Sequence, residues 1–376
     1  MKKVLFVATV VRTHINEFHL PYIKKFHELG WQVDVAAKND FIPEDTLVIP
    51  YCDNFYDIDF YRNPLSIHNY LAYYKLHSLL QEQCYDLLIC NTPVGGVLSR
   101  LAARNISGIK VVYIAHGFHF FKGNIWYKNV IFHTIENYVA KYTDCLLTIN
   151  QEDYEAASKF TLRTKDNVHL INSIGCKLDR FYKGKDKRQI RQKNNIKENA
   201  FVVVNVAELI KRKNYPVALK AFAKADIPDS IFMIIGSGAD EDKLKKMANK
   251  LGIDERVSFM GYRNDVPDLL RAADVLLFPS RHEGLGMAIV EAMAAGLPVL
   301  VSDIRGPRDC IVKGKSGFAY NPNDVNGFAN GLQCIYKMSD DEKQKIRTFN
   351  QEHSKKFSID DVLTHVFGIY ERCGYL

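Results

Sequence analysis

The sequence lacks any run of about 18 consecutive apolar residues, the length that a transmembrane helix requires. Its first apolar run, KKVLFVAT (2–9), is short, has no small-residue cleavage site after it, and is soon followed by Arg12. We therefore expect a first buried strand here, in place of a signal peptide or a membrane anchor.

Paired cysteine motifs are absent as well. The eight cysteines are scattered along 376 residues, and no two of them form a C-x-x-C motif. This pattern excludes a disulfide framework and a cysteine zinc site, and it is typical of reduced thiols in a cytoplasm. The net charge of +7 is too small to indicate a nucleic-acid partner. Such a mild basic excess favours anionic ligands or an anionic membrane surface.

What the sequence does contain is an alternation of short apolar runs and helical segments, which is typical of parallel βαβ units. The apolar runs of the first half predict strands over 2–9, 31–38, 85–91, 110–116, 145–150 and 167–173. Helical spacing predicts helices over 20–30, ending at Gly30, and over 68–83. The pattern restarts after residue 175, with strands predicted over 201–208, 230–238, 255–261, 273–280 and 297–303 and a helix over 215–225.

These patterns predict an α/β protein with two Rossmann-like domains, each built on a parallel sheet. The N-terminal domain is expected over 1–175 and the C-terminal domain over 176–356. The last segment, 357–376, has the spacing of one amphipathic helix. A densely basic segment, 182–197, is expected to be the solvated face of a helix or linker.

Ligands of open parallel sheets bind beyond the carboxyl ends of the strands. Several predicted strands are followed by glycine or polar residues. The residues at these strand ends are Asn91, His116 to His119 (which include Phe118), Gly238 and 280–286. We expect the ligand site at these strand ends. The alternative for His116 is an ordinary buried histidine at the end of a strand.

The segment SRHEGLGMAIVEAMAAGLPVLVSD (280–303) is the most informative of these. It follows a predicted strand with a glycine-containing turn and a helix that begins near Gly286, and the free amides of a helix start can hold a phosphate. Glu283 and Glu291 are good acceptors for sugar and ribose hydroxyls. The alternative is that Ser280 and Glu283 form an S-x-x-E capping box and that Glu291 is exposed.

Glu283 and Glu291 resemble the E-x7-E signature of the retaining glycosyltransferases of family four, which have the GT-B fold. The wider block 283–303 resembles the donor site of that family, and the segments 18–38, 91–96, 113–123 and 149–154 resemble its bacterial capsule and exopolysaccharide branch. The resemblance covers nearly the whole chain. It implies two Rossmann-like domains that face each other across a cleft, with the C-terminal helix crossing back to the N-terminal domain.

The resemblance implies a donor site in the C-terminal domain and an acceptor site in the N-terminal domain. Glu283 would hold hydroxyls of the donor sugar, and Glu291 would hold the ribose of the nucleotide. The other donor residues are Gly284, Leu285, Gly286 and Met287 at the diphosphate, Tyr262 and Arg263 at the base, and Gly238. His116 would lie near the reacting sugar, and the candidate acceptor residues are His14, Asn91, Phe118 and His119.

The sequence departs from the family at one place. The family usually has G-R-L-x-x-x-K, whose Arg and Lys hold the diphosphate, whereas residues 207–213 here read AELIKRK. Lys213 keeps the lysine position, but Glu208 replaces the arginine. A carboxylate about 4 Å from a phosphate costs on the order of 4 kcal/mol, so we expect Glu208 to point away or to pair with a base. Lys211 or Arg212 would supply the missing charge, and the alternative is a solvated charge run.

By resemblance, the donor is a nucleotide-sugar, with UDP the expected nucleotide, and the acceptor is a growing saccharide on a lipid diphosphate at the inner membrane face. The protein is therefore expected to be cytoplasmic and peripheral to the inner face of the plasma membrane. Segment 118–132 mixes aromatic residues with Lys122 and Lys128, and this composition fits an interfacial patch and core packing equally well.

The resemblance implies retention of the anomeric configuration by same-face attack, in which the leaving phosphate takes the proton of the acceptor. We expect no cofactor and no metal. The motif Asp57-Ile58-Asp59 is a D-x-D, which binds a divalent cation in transferases of another fold, but here it is interpreted as an ordinary strand or sheet edge. The alternatives are another GT-B-type enzyme, such as a UDP-sugar 2-epimerase, and a non-catalytic nucleotide-sugar-binding module.

Overall fold

The computed structural model describes residues 1–41, 47–61, 63, 66–184 and 186–376. The chain forms two compact units, which we call the first and the second domain. The first domain comprises Met1–Gly175 together with Ile359–Leu376, and the second comprises Cys176–Ser358.

The first domain is built on a seven-stranded parallel sheet in the order β3-β2-β1-β4-β5-β6-β7. The strands are β1 (Lys3–Val10), β2 (Gln32–Lys38), β3 (Asn54–Asp57), β4 (Leu87–Asn91), β5 (Lys110–Ala115), β6 (Cys145–Thr148) and β7 (Val168–Leu170). The helices before the second domain are α1 (Leu20–Glu28), α2 (His68–Gln83), α3 (Pro93–Ala102), α4 (Trp126–Ala140) and α5 (Gln151–Ala157). A π-helix, Val11–His19, connects β1 to α1.

The second domain is built on a six-stranded parallel sheet in the order β10-β9-β8-β11-β12-β13. The strands are β8 (Phe201–Val206), β9 (Ser230–Ile235), β10 (Val257–Phe259), β11 (Val275–Phe278), β12 (Val299–Ser302) and β13 (Gly317–Tyr320). The helices are α6 (Asp179–Tyr182), α7 (Lys187–Lys193), α8 (Tyr215–Ala225), α9 (Glu241–Lys250), α10 (Val266–Ala272), α11 (Met287–Ala294), α12 (Pro307–Cys310), α13 (Val325–Lys337) and α14 (Asp340–Ser354). Short 3₁₀ turns span Lys211–Lys213, Asp254–Arg256 and Lys355–Phe357.

The central strands are continuous apolar runs because helices cover both faces of each sheet. The side chains from Val4 to Ala8 in β1 are all fully buried, and so are those of β12. Since all strands of a sheet run parallel, their carboxyl ends lie at one edge. In the first domain, this edge of the sheet receives the loops after β1, β4 and β5. In the second domain, the corresponding edge of its own sheet receives the loops after β8 to β12.

The last helix, α15 (Ile359–Arg372), packs in the first domain. Its Phe367 and Tyr370 contact Phe26 of α1, with ring centroids 5.0 and 6.2 Å apart. The helix was expected from residue 357, but Lys355–Phe357 forms a separate 3₁₀ turn and α15 begins at Ile359.

The predicted strands and helices are confirmed within a few residues, and α2 and α8 have the expected bounds. Gly30 lies just after α1 with a positive φ of 78°, as a helix-stopping glycine should. The strand β13 and the π-helix were not predicted, whereas the stretch around Asp57 was expected to be an ordinary strand or sheet edge and contains β3. No helix of the described residues is long and apolar enough to cross a membrane.

The basic segment 182–197 is only partly a solvated face. Lys185 of this segment lies outside the described residues. Most of its basic side chains are exposed, but Arg191 is buried and donates to the Ala272 and Ala200 carbonyls. The Arg191 guanidinium also pairs with Asp274 at 2.8 Å. The expectation was wrong for Arg191, because this ion pair joins α7 to the start of β11.

Candidate active site

In the second domain, the candidate donor residues follow the carboxyl ends of four neighbouring strands. Tyr262 and Arg263 follow β10, Gly238 follows β9, Lys211 to Lys213 follow β8, and Glu283 to Met287 follow β11. The structure therefore brings to one sheet edge residues that are up to 76 positions apart in the chain.

Glu283 is the centre of this group. Its Oε1 accepts three hydrogen bonds, from Lys213 Nζ at 2.6 Å, Ser280 Oγ at 2.6 Å and Arg212 Nη1 at 3.1 Å. Among the described residues, Oε2 accepts no hydrogen bond. The side chain is 9% exposed. The Glu283 carboxylate is thus rigidly held by one oxygen, and the other oxygen remains available to a ligand.

The charges around Glu283 keep it ionised. Burial acts to raise the pKa of Glu283, but the positive charges of Lys213 and Arg212 outweigh burial and hold that pKa below its ordinary value. A buried carboxylate with two cationic partners can accept hydroxyl hydrogens without first losing a proton.

The charged segment after β8 divides into two parts. Lys213 is 12% exposed and Arg212 is 45% exposed, and both contact Glu283. The interpretation as a solvated charge run is therefore wrong for these two residues. Lys211 and Glu208 are exposed, and Glu208 makes no ion pair within the described part of the chain. Burial lowers the pKa of Lys213, and the charges of Glu283 and, more weakly, Glu208 oppose that shift, so Glu208 lies near enough to act on the cluster.

Helix α11 begins at Met287, directly after Gly286, and no side chain caps it. Gly286 has a φ of 102°, which favours glycine and lets the chain turn sharply from the Glu283 loop into the helix. Ser280 bonds Glu283 but lies seven residues before the helix, so the capping-box alternative is wrong. The amides at the start of α11 are left without a side-chain acceptor and can hold an anion.

Glu291 lies on α11 and is 20% exposed, so the alternative of an exposed side chain is wrong. Burial raises the pKa of Glu291 to about 7, against the positive charge of Arg180, whose Nη2 lies 3.9 Å from Oε1. Glu291 therefore changes its charge close to neutral pH, unlike Glu283 on the preceding loop.

The residues expected at the base have different roles in the structure. Tyr262 is 79% exposed. The Arg263 guanidinium donates two hydrogen bonds of 2.7 Å to Asp265 and one of 3.3 Å to Asn194. The Gly238 backbone packs closely on Leu209. A Cβ added at Gly238 would lie only 2.5 Å from the Leu209 carbonyl oxygen. The Arg263 side chain is thus engaged within the second domain, whereas the Tyr262 side chain is open to solvent.

In the first domain, His14, His19 and His116 form a compact cluster. His116 follows β5, while His14 and His19 belong to the π-helix after β1. The ring centroids are 4.7 to 5.4 Å apart, and the Nε2 atoms of His14 and His19 are separated by 3.3 Å. The π-helix explains this, because its backbone bonds join residues five apart and bring His14 and His19 to one side.

Burial lowers the pKa of His19 and of His116 well below the ordinary value, and the neighbouring imidazole charges act in the same direction. Both rings are therefore neutral at physiological pH. His19 was missed in the sequence, since its spacing from His14 does not place the two on one face of an α-helix.

The other expected acceptor residues are placed differently. Asn91, at the end of β4, is fully buried, and neither its Oδ1 nor its Nδ2 has a hydrogen-bond partner among the described residues. His119 is exposed and contacts Phe132, outside the histidine cluster. Phe118 is 2% exposed and stacks on Phe120 in the core. The Phe118 ring is thus unavailable to an acceptor, and that prediction is wrong.

The D-x-D motif is an ordinary sheet edge, as expected. Asp57 ends the edge strand β3 and accepts from the Asn39 amide, whereas Asp59 pairs with Lys38 at 3.1 Å. Ile58 between them is buried. The two carboxylates therefore have separate partners.

Two family descriptions match this chain. Residues 3–150 match the family described as glycosyl transferase 4-like, and residues 186–353 match glycosyl transferases group 1. The chain is 38% identical over 341 residues to the putative glycosyltransferase EpsD of Bacillus subtilis (strain 168), covering 89% of this chain and 87% of that protein. This chain belongs to the family-four glycosyltransferases.

A second relative of this glycosyltransferase is the UDP-Gal:alpha-D-GlcNAc-diphosphoundecaprenol alpha-1,3-galactosyltransferase of Escherichia coli. It is 32% identical over 297 residues, which cover 77% of this chain and 75% of that protein. Among solved structures, Anabaena Alr3699/HepE in complex with UDP and glucose matches with a TM-score of 0.81 and 20% identity, over 99% of this chain and 100% of that one. The fold is therefore GT-B, with two Rossmann-like domains.

The donor-side edge of this glycosyltransferase includes one pair that sequence reasoning missed. Arg305, in the loop after β12, is 5% exposed, and its Nη2 lies 2.8 Å from His282 Nε2. Since arginine can only donate, His282 Nε2 is the acceptor of this hydrogen bond. No local motif marks this pair, because it depends on β12 lying beside β11.

Replacing Gly306 by alanine is expected to lower kcat/KM for the nucleotide sugar roughly 10- to 100-fold. Gly306 has a φ of 83°, and a Cβ would lie 2.8 Å from the Gly284 oxygen and 2.9 Å from Leu285 Cα. The loop before α11 must then shift. Steady-state kinetics on the donor would measure this effect. Gly314→Ala is the matched control, with a φ of 79° and nothing within 4 Å; equal effects in both variants would contradict the explanation.

Proposed function

We propose that this glycosyltransferase moves a sugar from a UDP-sugar to a saccharide linked to a lipid diphosphate, in the synthesis of a capsule or exopolysaccharide. We further propose that transfer retains the anomeric configuration and needs no metal ion. The Glu283 cluster at the start of α11 carries this proposal. At one sheet edge, it combines an ionised carboxylate that can accept hydroxyl hydrogens, the two cations Lys213 and Arg212, and the amides at the start of α11.

In the proposed reaction, the bond between the sugar and the diphosphate breaks, and negative charge grows on the leaving phosphate. Lys213 and the amides at the start of α11 would stabilise that charge as preorganised donors. The free Oε2 of Glu283 would accept a hydroxyl hydrogen of the sugar, and Glu291 would accept from the ribose. We further propose that His116 of the first domain hydrogen-bonds a hydroxyl of the substrate.

The bond to the acceptor forms on the face that the diphosphate leaves. The acceptor hydroxyl gives its proton to the leaving phosphate oxygen as its own oxygen bonds the anomeric carbon. This same-face route needs no carboxylate nucleophile, unlike retaining glycosidases, whose two carboxyl groups lie about 5 Å apart. Glu283 is committed to Lys213, Arg212 and Ser280, which supports a binding role for that carboxylate.

The comparisons support the choice of substrates. The Escherichia coli relative is named for transfer from UDP-Gal to a saccharide on diphosphoundecaprenol. Anabaena HepE, which has the same fold, was solved in complex with UDP and with UDP-glucose. A UDP-linked donor and a lipid-diphosphate acceptor are therefore the first substrates to test.

The decisive experiment is a panel of nucleotide sugars in EDTA, with and without membrane lipid extract, in which release of the nucleoside diphosphate is measured. We expect release from a UDP-sugar that lipid extract increases and that Glu283→Ala lowers by about 100- to 1000-fold. The configuration of the new linkage is read by nuclear magnetic resonance. Inversion would contradict retention, and release restored only by Mn²⁺ would contradict metal independence. Free sugar formed equally without acceptor would favour an epimerase.

We also propose that helix α4 holds the protein at the inner, cytoplasmic face of the plasma membrane. One polar contact of α4 is on its inner side, where Glu136 pairs with the buried Arg100 at 2.8 Å. Its outer side carries large apolar side chains, and these are Trp126 (76% exposed), Tyr127, Val130, Ile131 (53% exposed), Ile135 and Tyr138. Exposed Lys122, Lys128 and Lys141 flank them. This pattern suits an anionic lipid surface.

Ile131→Glu is expected to weaken binding to vesicles that contain phosphatidylglycerol by roughly 10- to 100-fold. An isoleucine contributes about 1.5–3 kcal/mol on leaving water, and a carboxylate is repelled by anionic lipid. Vesicle cosedimentation measures the change. Val48→Glu alters a similarly exposed apolar residue of the first domain outside α4 and should bind as the wild type does. Equal binding by the Ile131→Glu variant would contradict the proposed orientation.

A further inference from the structure

Two thiols of the first domain meet where the last helix ends. Cys145 begins β6, and Cys373 directly follows α15. Although they lie in distant parts of the chain, the Cys145 and Cys373 thiols are hydrogen-bond partners. Cys145 is fully buried, whereas Cys373 is partly exposed. The pair thus joins a protected thiol to one that a small solute can reach, and the proposed sugar transfer uses neither.

Asn167 holds both thiols in place. Its Oδ1 accepts a hydrogen bond of 3.3 Å from Cys373 Sγ, and its Nδ2 donates one of 2.7 Å to the carbonyl of Asp144, the residue before Cys145. The same Nδ2 donates to the Tyr375 hydroxyl at 2.9 Å. Asn167 directly precedes β7, which pairs with β6. These contacts fix the segment after α15 against the sheet, so the two sulfur atoms stay adjacent.

The two thiols differ in how readily they lose a proton. The hydrogen bond from Cys145 lowers the pKa of Cys373, against the opposing effect of burial. The same hydrogen bond and burial raise the pKa of Cys145 well above its ordinary value. Because the thiolate is the nucleophile, Cys373 is the thiol that reacts first. Cys145 keeps its proton and lies next to the reacting sulfur.

We propose that Cys145 and Cys373 form a reversible redox pair, which hydrogen peroxide converts to a disulfide between β6 and the end of α15. The Cys373 thiolate attacks one peroxide oxygen, the O–O bond breaks, and Cys373 becomes a sulfenic acid while the departing hydroxide takes up a proton as water. The Cys145 sulfur then bonds the Cys373 sulfur and displaces the sulfenic oxygen, which leaves as water with the Cys145 proton. The two thiols are oxidised, and the peroxide is reduced to two molecules of water.

A reducing compartment is compatible with such a pair. Disulfides of cytosolic proteins are usually transient and serve catalysis or redox sensing. Exchange with a dithiol returns the pair to its reduced form. The disulfide would close a loop that spans more than half of the chain, which restricts the unfolded state. We therefore expect oxidation to raise the melting temperature and reduction to reverse that rise.

The test maps disulfides in the full chain. The reduced protein is freed of reductant, treated with one equivalent of hydrogen peroxide, blocked with iodoacetamide and digested with trypsin without reduction. Cleavage after Lys141, Lys159 and Arg372 places the two cysteines in separate peptides, 142–159 and 373–376. We expect a cross-linked species of these peptides, lighter by two hydrogens than their sum, that dithiothreitol separates. The melting temperature of the oxidised protein should exceed that of the reduced protein.

Three variants identify the two roles. In Cys145→Ala, oxidation of Cys373 should stop at the sulfenic acid, which dimedone traps on peptide 373–376. In Cys373→Ser, the buried Cys145 should stay reduced. Cys84→Ser is the matched control, because Cys84 is an exposed cysteine of the same domain outside the pair, and it should form the cross-link as the wild type does.

Absence of the cross-linked peptide from oxidised wild type would overturn the proposal, and so would equal cross-linking of Cys373 to Cys84. Failure of dimedone to label Cys373 in folded Cys145→Ala would contradict the assigned order of reaction. Since the peptide masses do not depend on sugar transfer, failure here and failure of the donor panel are distinguishable.

Discussion

Glu283→Ala is expected to lower the turnover of sugar transfer by about 100- to 1000-fold, the usual effect of removing one preorganised polar group. The carboxylate also holds Lys213 and Arg212 in place, so their positions against the diphosphate are lost with it. The same change should lower the free energy of unfolding by about 3–5 kcal/mol, because Lys213 is left as a buried, unpaired cation. Donor kinetics and urea denaturation measure the two effects.

Two further variants separate activity from folding. Glu283→Gln keeps the shape and one acceptor oxygen, so it should fold with a smaller loss of stability and still transfer slowly. Glu208→Ala removes an exposed carboxylate that makes no ion pair within the described residues, and it should leave activity and stability unchanged. Wild-type turnover in Glu283→Gln would rule out the proposed role of the charge.

The stability contributed by Glu283 depends on pH in a defined direction. Its pKa in the folded protein is below the ordinary value, so the folded state binds the proton less tightly than the unfolded state does. The contribution is therefore complete above the ordinary pKa of about 4.3 and is lost as pH falls through the lower, folded value. The stability difference between wild type and Glu283→Gln should shrink in that acidic range.

Glu291→Gln is expected to stabilise the protein at pH 8 and to weaken donor binding at the same time. Burial raises the pKa of Glu291 to about 7, so the folded state binds this proton more tightly than the unfolded state. The wild type therefore loses stability as pH rises from about 4.5 to 7, on the order of 3 kcal/mol. Glutamine removes that loss, and the melting temperature of the variant should exceed that of the wild type at pH 8 but not at pH 4.

The second part of this prediction concerns the donor. A hydrogen bond from a ribose hydroxyl to a carboxylate contributes about 1.5–3 kcal/mol, so Glu291→Gln should raise the donor KM roughly 10- to 100-fold. In the wild type, KM should rise as pH falls below 7, and this dependence should vanish in the variant. Glu255→Gln changes an exposed glutamate and serves as control. A variant with unaltered KM and unaltered melting temperature would refute the argument.

Much of the fold could be predicted because its signals are local. The boundaries of α8 follow from helical spacing, and the turn into α11 follows from glycine beside a strand end. The short strand β13 was missed, because four residues carry little periodicity. The π-helix was missed because its period differs from the α-helical one.

By itself, the sequence determined two parallel-sheet domains, the family, and the loop that carries Glu283 with the helix that carries Glu291. These depend on neighbouring residues and on motifs of fixed spacing. Only the tertiary structure decided that Lys213 and Arg212 contact Glu283, 70 residues away, since that contact requires β8 to lie beside β11.

The tertiary structure also decided which side chains are available to ligands. Phe118 packs in the core, while Trp126, eight residues later, is exposed, although the same segment composition fits either place. Burial alone separates Glu291, with a pKa near 7, from an ordinary surface glutamate. Burial and long-range pairing depend on how distant segments pack, and no local pattern of residues encodes that packing.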